Sequence, residues 1–540
     1  MVTYNLAELF ESVADAVPDR LAMATPDRRL TYGELDERAT RLAQHLRAAG
    51  VNAGDHVGLH LQNGSEYIEG MLAAFKLRAV PVNINYRYVE RELEHLYTSL
   101  DLVALVVHRR FASIAAGVAP RVASLRHVIV VDDDSDAASP AEWVGYEAAL
   151  AGASPDRQFD GRGDHDVYCA CTGGTTGMPK GVLWRHEDIF FASMGGGDPT
   201  LLLGPIKSPA ELVERLPENG LVGLVTPPFM HVSAHWAAFN LLYGGGRIVI
   251  PQPGSLDPAD VWRLVAEEGI NLLVLVGDAM ARPLLDHLAA HPSDTSSLFV
   301  IASGGAILSP STKQWINELL PNVIVVDGFG STETGVTGSG SGGDTAGAGT
   351  TFRMDDTTAV LDDDLQPVEP GSGQVGRLAR RGRIPLGYYN DSEKTAATFI
   401  EKDGVRWVLP GDMASVADDG TIVMHGRGSV SINTGGEKVF PEEVESAIVG
   451  HPAVRDVLVV GVPDERWGQR VAAVVALKEG ASLTLEDLQA YCRDEVAGYK
   501  VPRQLTVVPS VVRSPSGKAD YGWAKEAAMA DVADAGAARG

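Results

Sequence analysis

Residues 171–181 read CTGGTTGMPKG and follow a short apolar run at 167–170 that reads as a strand. Gly173, Gly174 and Gly177 let backbone N–H groups close on an oxyanion, Thr172, Thr175 and Thr176 add hydroxyl donors, and Lys180 adds positive charge. That combination suits a polyphosphate. It is not a Walker loop, in which Gly-Lys-Ser/Thr enters a helix, because here Pro179 precedes the lysine and Gly181 follows it. On its own the segment also fits a surface hairpin. Seven further stretches pair turn residues with groups able to bind or titrate: PPFMH at 227–231, SGGA at 303–306, DGFGSTE at 327–333, PGD at 410–412, GRG at 426–428, TGGE at 434–437 and RSPSGK at 513–518. Taken singly, each has a plainer reading. His231 could be a satisfied polar side chain, 303–306 a strand-to-helix turn, Glu333 a solvated carboxylate, Asp412 part of a turn, and Lys518 a loop lysine.

The elements that must position these groups are legible in outline. Thr31 and Glu34 form a capping box, and Leu35, Ala39, Leu42 and Leu46 recur at helical spacing until Gly50. Short apolar runs at 57–61, 103–107, 128–131 and 272–276 alternate with helical patterns such as 257–268, which implies largely parallel sheets covered on both faces. Another apolar run, at 323–326, reads as a strand that ends where the 327–333 segment begins. From Gly335 to Thr351 the composition turns to glycine, serine and threonine, which predicts a mobile surface loop. After Val375, short segments at 405–409 and 421–424 between turn pairs predict a β-rich unit. Beyond Gly426, a helix opening at Pro441, strands at 457–460 and 471–476 and a helix at 485–496 predict a small α+β domain, and the alanine-rich tail from Glu526 is expected to fray.

The chain has 540 residues, enough for two to four domains at about 150 residues each. Lysine plus arginine number 45 against 71 aspartate plus glutamate, and the net charge of −26 argues against nucleic acid or an anionic membrane as the main partner. Cys169, Cys171 and Cys492 make no disulfide framework, and the first two lack metal-like spacing, which fits a reducing cytoplasm. Glu8, Glu11 and Asp15 interrupt the first twenty residues, so no export signal is expected, and no apolar run is long enough for a membrane span.

Taken together and in order, the segments at 171–181, 303–306, 327–333, 410–412, 426–428 and 513–518 are similar to those of adenylate-forming enzymes. That superfamily includes acyl-CoA synthetases, firefly-type luciferases and peptide-synthetase adenylation domains. The resemblance covers nearly the whole chain. It implies an α/β fold: a large N-terminal domain of parallel α/β sheets with a β-rich subdomain over 1–425, a hinge at 426–430 and a small mobile α+β C-terminal domain over 431–540. It implies that residues 172–177 and Lys180 hold the β- and γ-phosphates of ATP. Asp327, Gly328, Phe329, Gly330, Ser331 and Thr332 would border the nucleotide, with Phe329 on adenine and Glu333 as the Mg²⁺-linked carboxylate. Gly304, Gly305 and Ala306 would border adenine and the acyl pocket, and His231 the carboxylate. Asp412 and Arg427 would hold ribose, Gly435 and Gly436 would line the passage for CoA, and Lys518 would reach the carboxylate and α-phosphate. Where relatives usually carry aspartate or lysine as the pivot, this sequence has Ser429.

The implied activity is ATP-dependent acyl-CoA synthesis, with a small carboxylic acid, ATP and CoA as partners; a homodimer remains open. The runs WRHEDI at 184–189, GDAMAR at 277–282 and SVSIN at 429–433 resemble actinobacterial acyl-CoA synthetases, including those that activate sterol side-chain carboxylates. A medium- or long-chain fatty acid or a steroid side-chain acid is therefore expected, with 194–220 as an insertion that could lid the pocket. Adenylation for a carrier protein and luciferase-like monooxygenation are the alternatives.

Overall fold

The computed structural model describes residues 2–172, 178–200, 202–306, 308–341, 351–353, 355–434, 437–464, 467–513 and 518–537. Among them, two eight-stranded sheets form the bulk of the N-terminal part. In the first, Ile324–Ser331, Val300–Gly304, Leu272–Leu275, Val222–Val225, Arg247–Val249 and Leu21–Ala24 run parallel, flanked by the antiparallel edges Gly335–Ser341 and Arg29–Thr31. In the second, Val167–Thr172, Val80–Asn83, His56–His60, Leu102–His108 and His127–Val131 run parallel, and Lys180–Arg185 returns antiparallel to the first of these. Every residue of Leu102–His108 is buried, as a strand covered on both faces requires.

The helix Tyr32–Ala48 starts at the expected box: Glu34 N–H donates to Thr31 Oγ1 at 3.2 Å, and Thr31 N–H donates to Glu34 Oε2 at 2.8 Å. It packs with Leu6–Ala16 and Ser65–Lys76 around a buried ion cluster, in which Lys76 Nζ lies 2.6 Å from Glu11 and 2.7 Å from Asp36. Arg162 and Arg157 complete the pairing of those two carboxylates from outside. The charge inside this helix layer is thereby neutralised rather than stranded.

A seven-stranded antiparallel sheet built from 351–427 follows. The C-terminal part is a five-stranded sheet in which Gly468–Leu477 is central, pairing antiparallel with Val454–Asp464 and parallel with Gln504–Val508, and the helices Pro441–Val449 and Leu485–Glu495 pack about it. Arg282 Nη2 crosses from the N-terminal part to donate to the Val449 carbonyl at 3.2 Å, while the same side chain also bonds Ser311 and Thr312 and lies 3.5 Å from Asp278.

Four expectations need correction. The strand expected to end at Val326 continues through Ser331, so the DGFGS stretch is part of the sheet. Residues 335–341 are a strand paired to it rather than a mobile loop, and 342–350 lie outside the described residues. Its glycines serve close approach: a Cβ on Gly338 would sit 2.3 Å from the Phe352 ring, and one on Gly330 would sit 2.2 Å from the Gly335 carbonyl. The tail is helical over Tyr521–Ala537, with Ala524 and Ala528 buried one turn apart against the outer face of the C-terminal sheet. Finally, 194–220 is no lid over the His231 segment. Gly195 lies against Asn240, Pro199 against Gly244 and Leu216 against Gly245, all at the far end of the helix Val232–Tyr243 that His231 caps. Twelve helical residues separate the two ends by about 18 Å.

Candidate active site

Thr172 and the segments at 227–231, 303–306 and 327–333 sit at or just beyond the carboxyl ends of parallel strands, where open α/β sheets leave a crevice for ligand, while 410–412 and 426–428 come from the antiparallel sheet. Thr172 closes Val167–Thr172 and lies directly opposite Lys180 in the hairpin. The turn between them, with Gly173, Gly174, Thr175, Thr176 and Gly177, lies outside the described residues. Lys180 Nζ is 2.5 Å from Asp391 Oδ2, so its charge already has a carboxylate partner.

The next strand in that sheet, Gly387–Tyr388, carries the hairpin to the first sheet. Tyr388 O–H donates to Glu333 Oε1 at 2.9 Å, and Trp184 Nε1–H donates to the Thr332 carbonyl at 3.0 Å. Lys180 stands 6.0 Å from the centre of the Tyr388 ring. Glu333 and the threonine-glycine hairpin are therefore locked beside one another by a tyrosine and a tryptophan. Sequence reading missed Tyr388, which carries no motif of its own.

Gly304 pairs with Gly328 across two parallel strands, and Ser303 with Asp327. A Cβ on Gly304 would approach the Gly328 carbonyl to 3.2 Å, so SGGA and DGF are fused into one surface. Gly305 has φ +85°, a left-handed turn that suits glycine before Ala306. Asp327 faces Lys313 at 2.6 Å; burial pushes its carboxyl up while that lysine pulls it down. The contacts of Asp327 are thus with protein, which a pattern of consecutive residues could not reveal. Ser331 bonds Thr334 within its own turn. Phe329 stacks on Phe352 at 5.5 Å and 11°, and Phe352 in turn pairs with Ile422 in the strand Thr421–Arg427. That strand sets Arg427 directly opposite the buried Asp412. Gly435 and Gly436 fall outside the described residues.

His231 is the N-cap residue of Val232–Tyr243. Its approach is held by two asparagines that no motif announced. Asn63 donates to the Pro227 carbonyl at 2.9 Å and accepts from Phe229 N–H at 2.6 Å. Asn83 accepts from Cys171 N–H at 2.7 Å and donates to the carbonyls of Cys171 and Met230 at 3.2 and 2.7 Å. One amide therefore ties the residue before Thr172 to the residue before His231. The available signal was a polar residue ending the apolar strand Val80–Asn83. His231 Nε2 is buried and makes no hydrogen bond within the described protein. Burial drives its imidazole far down, to about 3, with the charge of Lys518, then His235 and Arg87, pushing the same way. His231 is neutral near pH 7, and Lys518 from the C-terminal part acts on it. A cavity of about 600 Å³ lies between the two parts of the chain, lined by Arg87, Thr226, Pro228 and Met280 on one side and Arg513 on the other.

A neutral imidazole with an unmatched nitrogen can donate a hydrogen bond to a carboxylate, and a glutamate held by a tyrosine hydroxyl keeps a second oxygen for a hard cation. Residues 10–389 match the model of the AMP-binding enzyme family, and 443–518 match that of the AMP-binding enzyme C-terminal domain. The chain belongs to the AMP-binding enzyme family. Within this adenylate-forming superfamily it is 49% identical, over 97% of its length and 95% of the relative's, to a 3-oxocholest-4-en-26-oate–CoA ligase of Rhodococcus rhodochrous. It is 47% identical, over 99% of its length and 98% of the relative's, to a medium/long-chain-fatty-acid–CoA/3-oxocholest-4-en-26-oate–CoA ligase of Mycobacterium tuberculosis (strain ATCC 25618 / H37Rv). Among solved structures, the anthranilate CoA ligase AuaEII in complex with anthranoyl-AMP aligns with a TM-score of 0.85 at 23% identity, over 98% of this chain and 99% of that one. A Mycobacterium tuberculosis fatty acyl CoA synthetase aligns with a TM-score of 0.68 at 24% identity, over 97% and 98%. These structures share the fold of the AMP-binding enzyme described above.

Proposed function

We propose that this AMP-binding enzyme is an ATP-dependent acyl-CoA synthetase acting on a steroid side-chain carboxylate or a medium- or long-chain fatty acid. The two CoA ligases with 49% and 47% identity support the substrate class. The observation that supports the reaction is the buried, unmatched Nε2 of a neutral His231, on which the charge of Lys518 from the C-terminal part is felt.

A carboxylate cannot expel oxide, so its oxygen first attacks the α-phosphorus of ATP, the bond to the β-phosphate oxygen breaks, and acyl-adenylate and pyrophosphate result. Two anions meet in that step. Lys518 offsets their repulsion, and neutral His231 donates a hydrogen bond without adding a competing charge. Thr172, the residues of the adjoining turn and Lys180 receive the outer phosphates, which requires Lys180 to loosen from Asp391. The carboxylate oxygens of Glu333 are hard donors suited to Mg²⁺, which when bound offsets phosphate charge. Phe329 has one face on Phe352 and offers the other to adenine; Asp412 and Arg427 hold ribose. In the second half, the CoA thiol attacks the acyl carbon, AMP leaves, and a thioester remains. The small domain, residues 431–540, turns about 426–430 between halves, bringing Gly435 and Gly436 to the thiol passage in place of Lys518. Three free cysteines support a reducing, cytoplasmic setting.

The test is ATP-dependent AMP release with CoA against fatty, aromatic and sterol-derived acids. Steroid side-chain or medium- to long-chain acids are expected to release AMP and pyrophosphate. Release of AMP by none of them overturns the reading. Lys518→Ala is expected to abolish adenylate formation while leaving thioester formation from supplied acyl-adenylate largely intact.

A further inference from the structure

The segment that ends at Lys518 is fastened to the C-terminal sheet at an irregularity in its longest strand. Val454–Asp464 pairs with Gly468–Leu477 in regular antiparallel register except between Val454 and Asp456, where the register shifts around Arg455. A bulge of this kind interrupts the ladder and re-aims the side chains beside it. Both redirected side chains grip the same stretch. Arg455 Nη2 donates to the Pro509 carbonyl at 2.5 Å. Asp456 takes a two-pronged ion pair from Arg513, with Nε to Oδ2 at 2.9 Å and Nη2 to Oδ1 at 2.7 Å, and Arg513 Nη2 also reaches the Val457 carbonyl at 3.1 Å.

Arg513 then pairs across to Ala519, the residue after Lys518, in an isolated antiparallel bridge. The far end is pinned as well. Tyr521 packs beside Ala519 on the outer face of the sheet, with its hydroxyl 3.3 Å from Glu445 Oε2, while Glu445 Oε1 accepts from Val459 N–H at 2.8 Å on that same long strand. Arg513 also faces the cleft toward the N-terminal part.

We infer that Asp456 is a positioning residue for the adenylation half-reaction: through Arg513 it fixes the base of the loop that presents Lys518 to His231, with Tyr521 and Glu445 as the second anchor. Asp456 touches no substrate. A bidentate carboxylate–guanidinium pair fixes direction as well as distance, which a single hydrogen bond does not. A lysine on a four-carbon stem needs such a fixed base to arrive at one point in the transition state. The inference rests on the proposed function, since it assigns the pair a task in only one of its two half-reactions.

The experiment measures acid-dependent ATP–pyrophosphate exchange, thioester formation from supplied acyl-adenylate, and thermal unfolding of the full chain, for Asp456→Asn, Asp456→Glu, Tyr521→Phe and Lys518→Ala. Asp456→Asn is expected to lower kcat for exchange about tenfold or more with KM for ATP within about twofold, and to leave thioester formation within about twofold of the parent. Asp456→Glu, which keeps the carboxylate, is expected to recover most of the exchange rate. Tyr521→Phe, which retains the ring, is expected to shift exchange in the same direction by a smaller factor, and decides the matter should Asp456→Asn fail to fold. Equal loss of both half-reactions, or loss of neither, in a folded Asp456→Asn or, failing that, Tyr521→Phe protein overturns the inference. Lys518→Ala separates the two layers. If it spares exchange, the proposed role of Lys518 is wrong; if it abolishes exchange alone while the Asp456 variants behave as the parent, only the positioning role falls.

Discussion

A histidine whose imidazole stays neutral down to about pH 3 cannot act as a proton switch near neutrality, and this shapes what His231 can do. The rate of adenylate formation is expected to show no inflection from His231 between about pH 5 and 8, where an ordinary imidazole titrates. A His231→Gln profile measured over that range should run parallel to the parent's and lie below it. An inflection that disappears in the variant would contradict the neutral assignment. Glu333 gives a second test at this scale. Its Oε1 is held by the Tyr388 hydroxyl, and a hydrogen bond to a charged group contributes about 1.5–3 kcal/mol. Tyr388→Phe is expected to keep the fold, raise the KM for Mg-ATP and lower adenylation about tenfold or more, read by steady-state exchange kinetics.

The segments become a site because of the elements that hold them. Asn83 joins the strand leading into the threonine-glycine turn to the stretch leading into His231. Asn83→Ala removes three hydrogen bonds at a buried position and is expected to cost about 1–3 kcal/mol of stability, with a larger fractional loss of adenylation than of thioester formation. A lower melting temperature with both activities unchanged would show that the tether is purely structural. Much at this scale was legible beforehand. The apolar runs at 57–61 and 103–107 pointed to the strands found at His56–His60 and Leu102–His108, and the Thr31–Glu34 box marked its helix start, because both signals are local. The pairing of Gly304 with Gly328 was not legible, since a parallel partner is fixed by crossovers and not by neighbours. The strand was expected to stop at Val326 because glycine and serine have weak strand preference, and packing against Phe352 overrides it through Ser331. The tail helix escaped notice because its buried contacts are alanines, whose small side chains leave little periodic signal. Asn63, Asn83 and Tyr388 belong to no run of motif residues and appear only once the strands are paired.

Across the whole molecule, the C-terminal part carries a pH dependence of its own. Burial, with Glu442 adding repulsion, pushes the Glu445 carboxyl up to about 8 from 4.5, against the opposing pull of Val459 N–H, Arg513 and Tyr521. The folded chain therefore holds more protons than the unfolded chain between those values. This stabilisation is full below about pH 4.5 and is lost as pH rises toward 8. Glu445→Gln should flatten that slope in denaturant melts run across the interval. An unaltered slope would mean that other groups dominate it.

The crossing contact at Arg282 bears on how the two parts could separate. Its guanidinium reaches Val449 with one bond but keeps Ser311, Thr312 and Asp278 as companions on its own side. Departure of the small domain thus strands no cation, and water can take over the single vacated direction. Such a clasp releases at little cost and re-forms without searching, because the side chain that makes it never loses its aim.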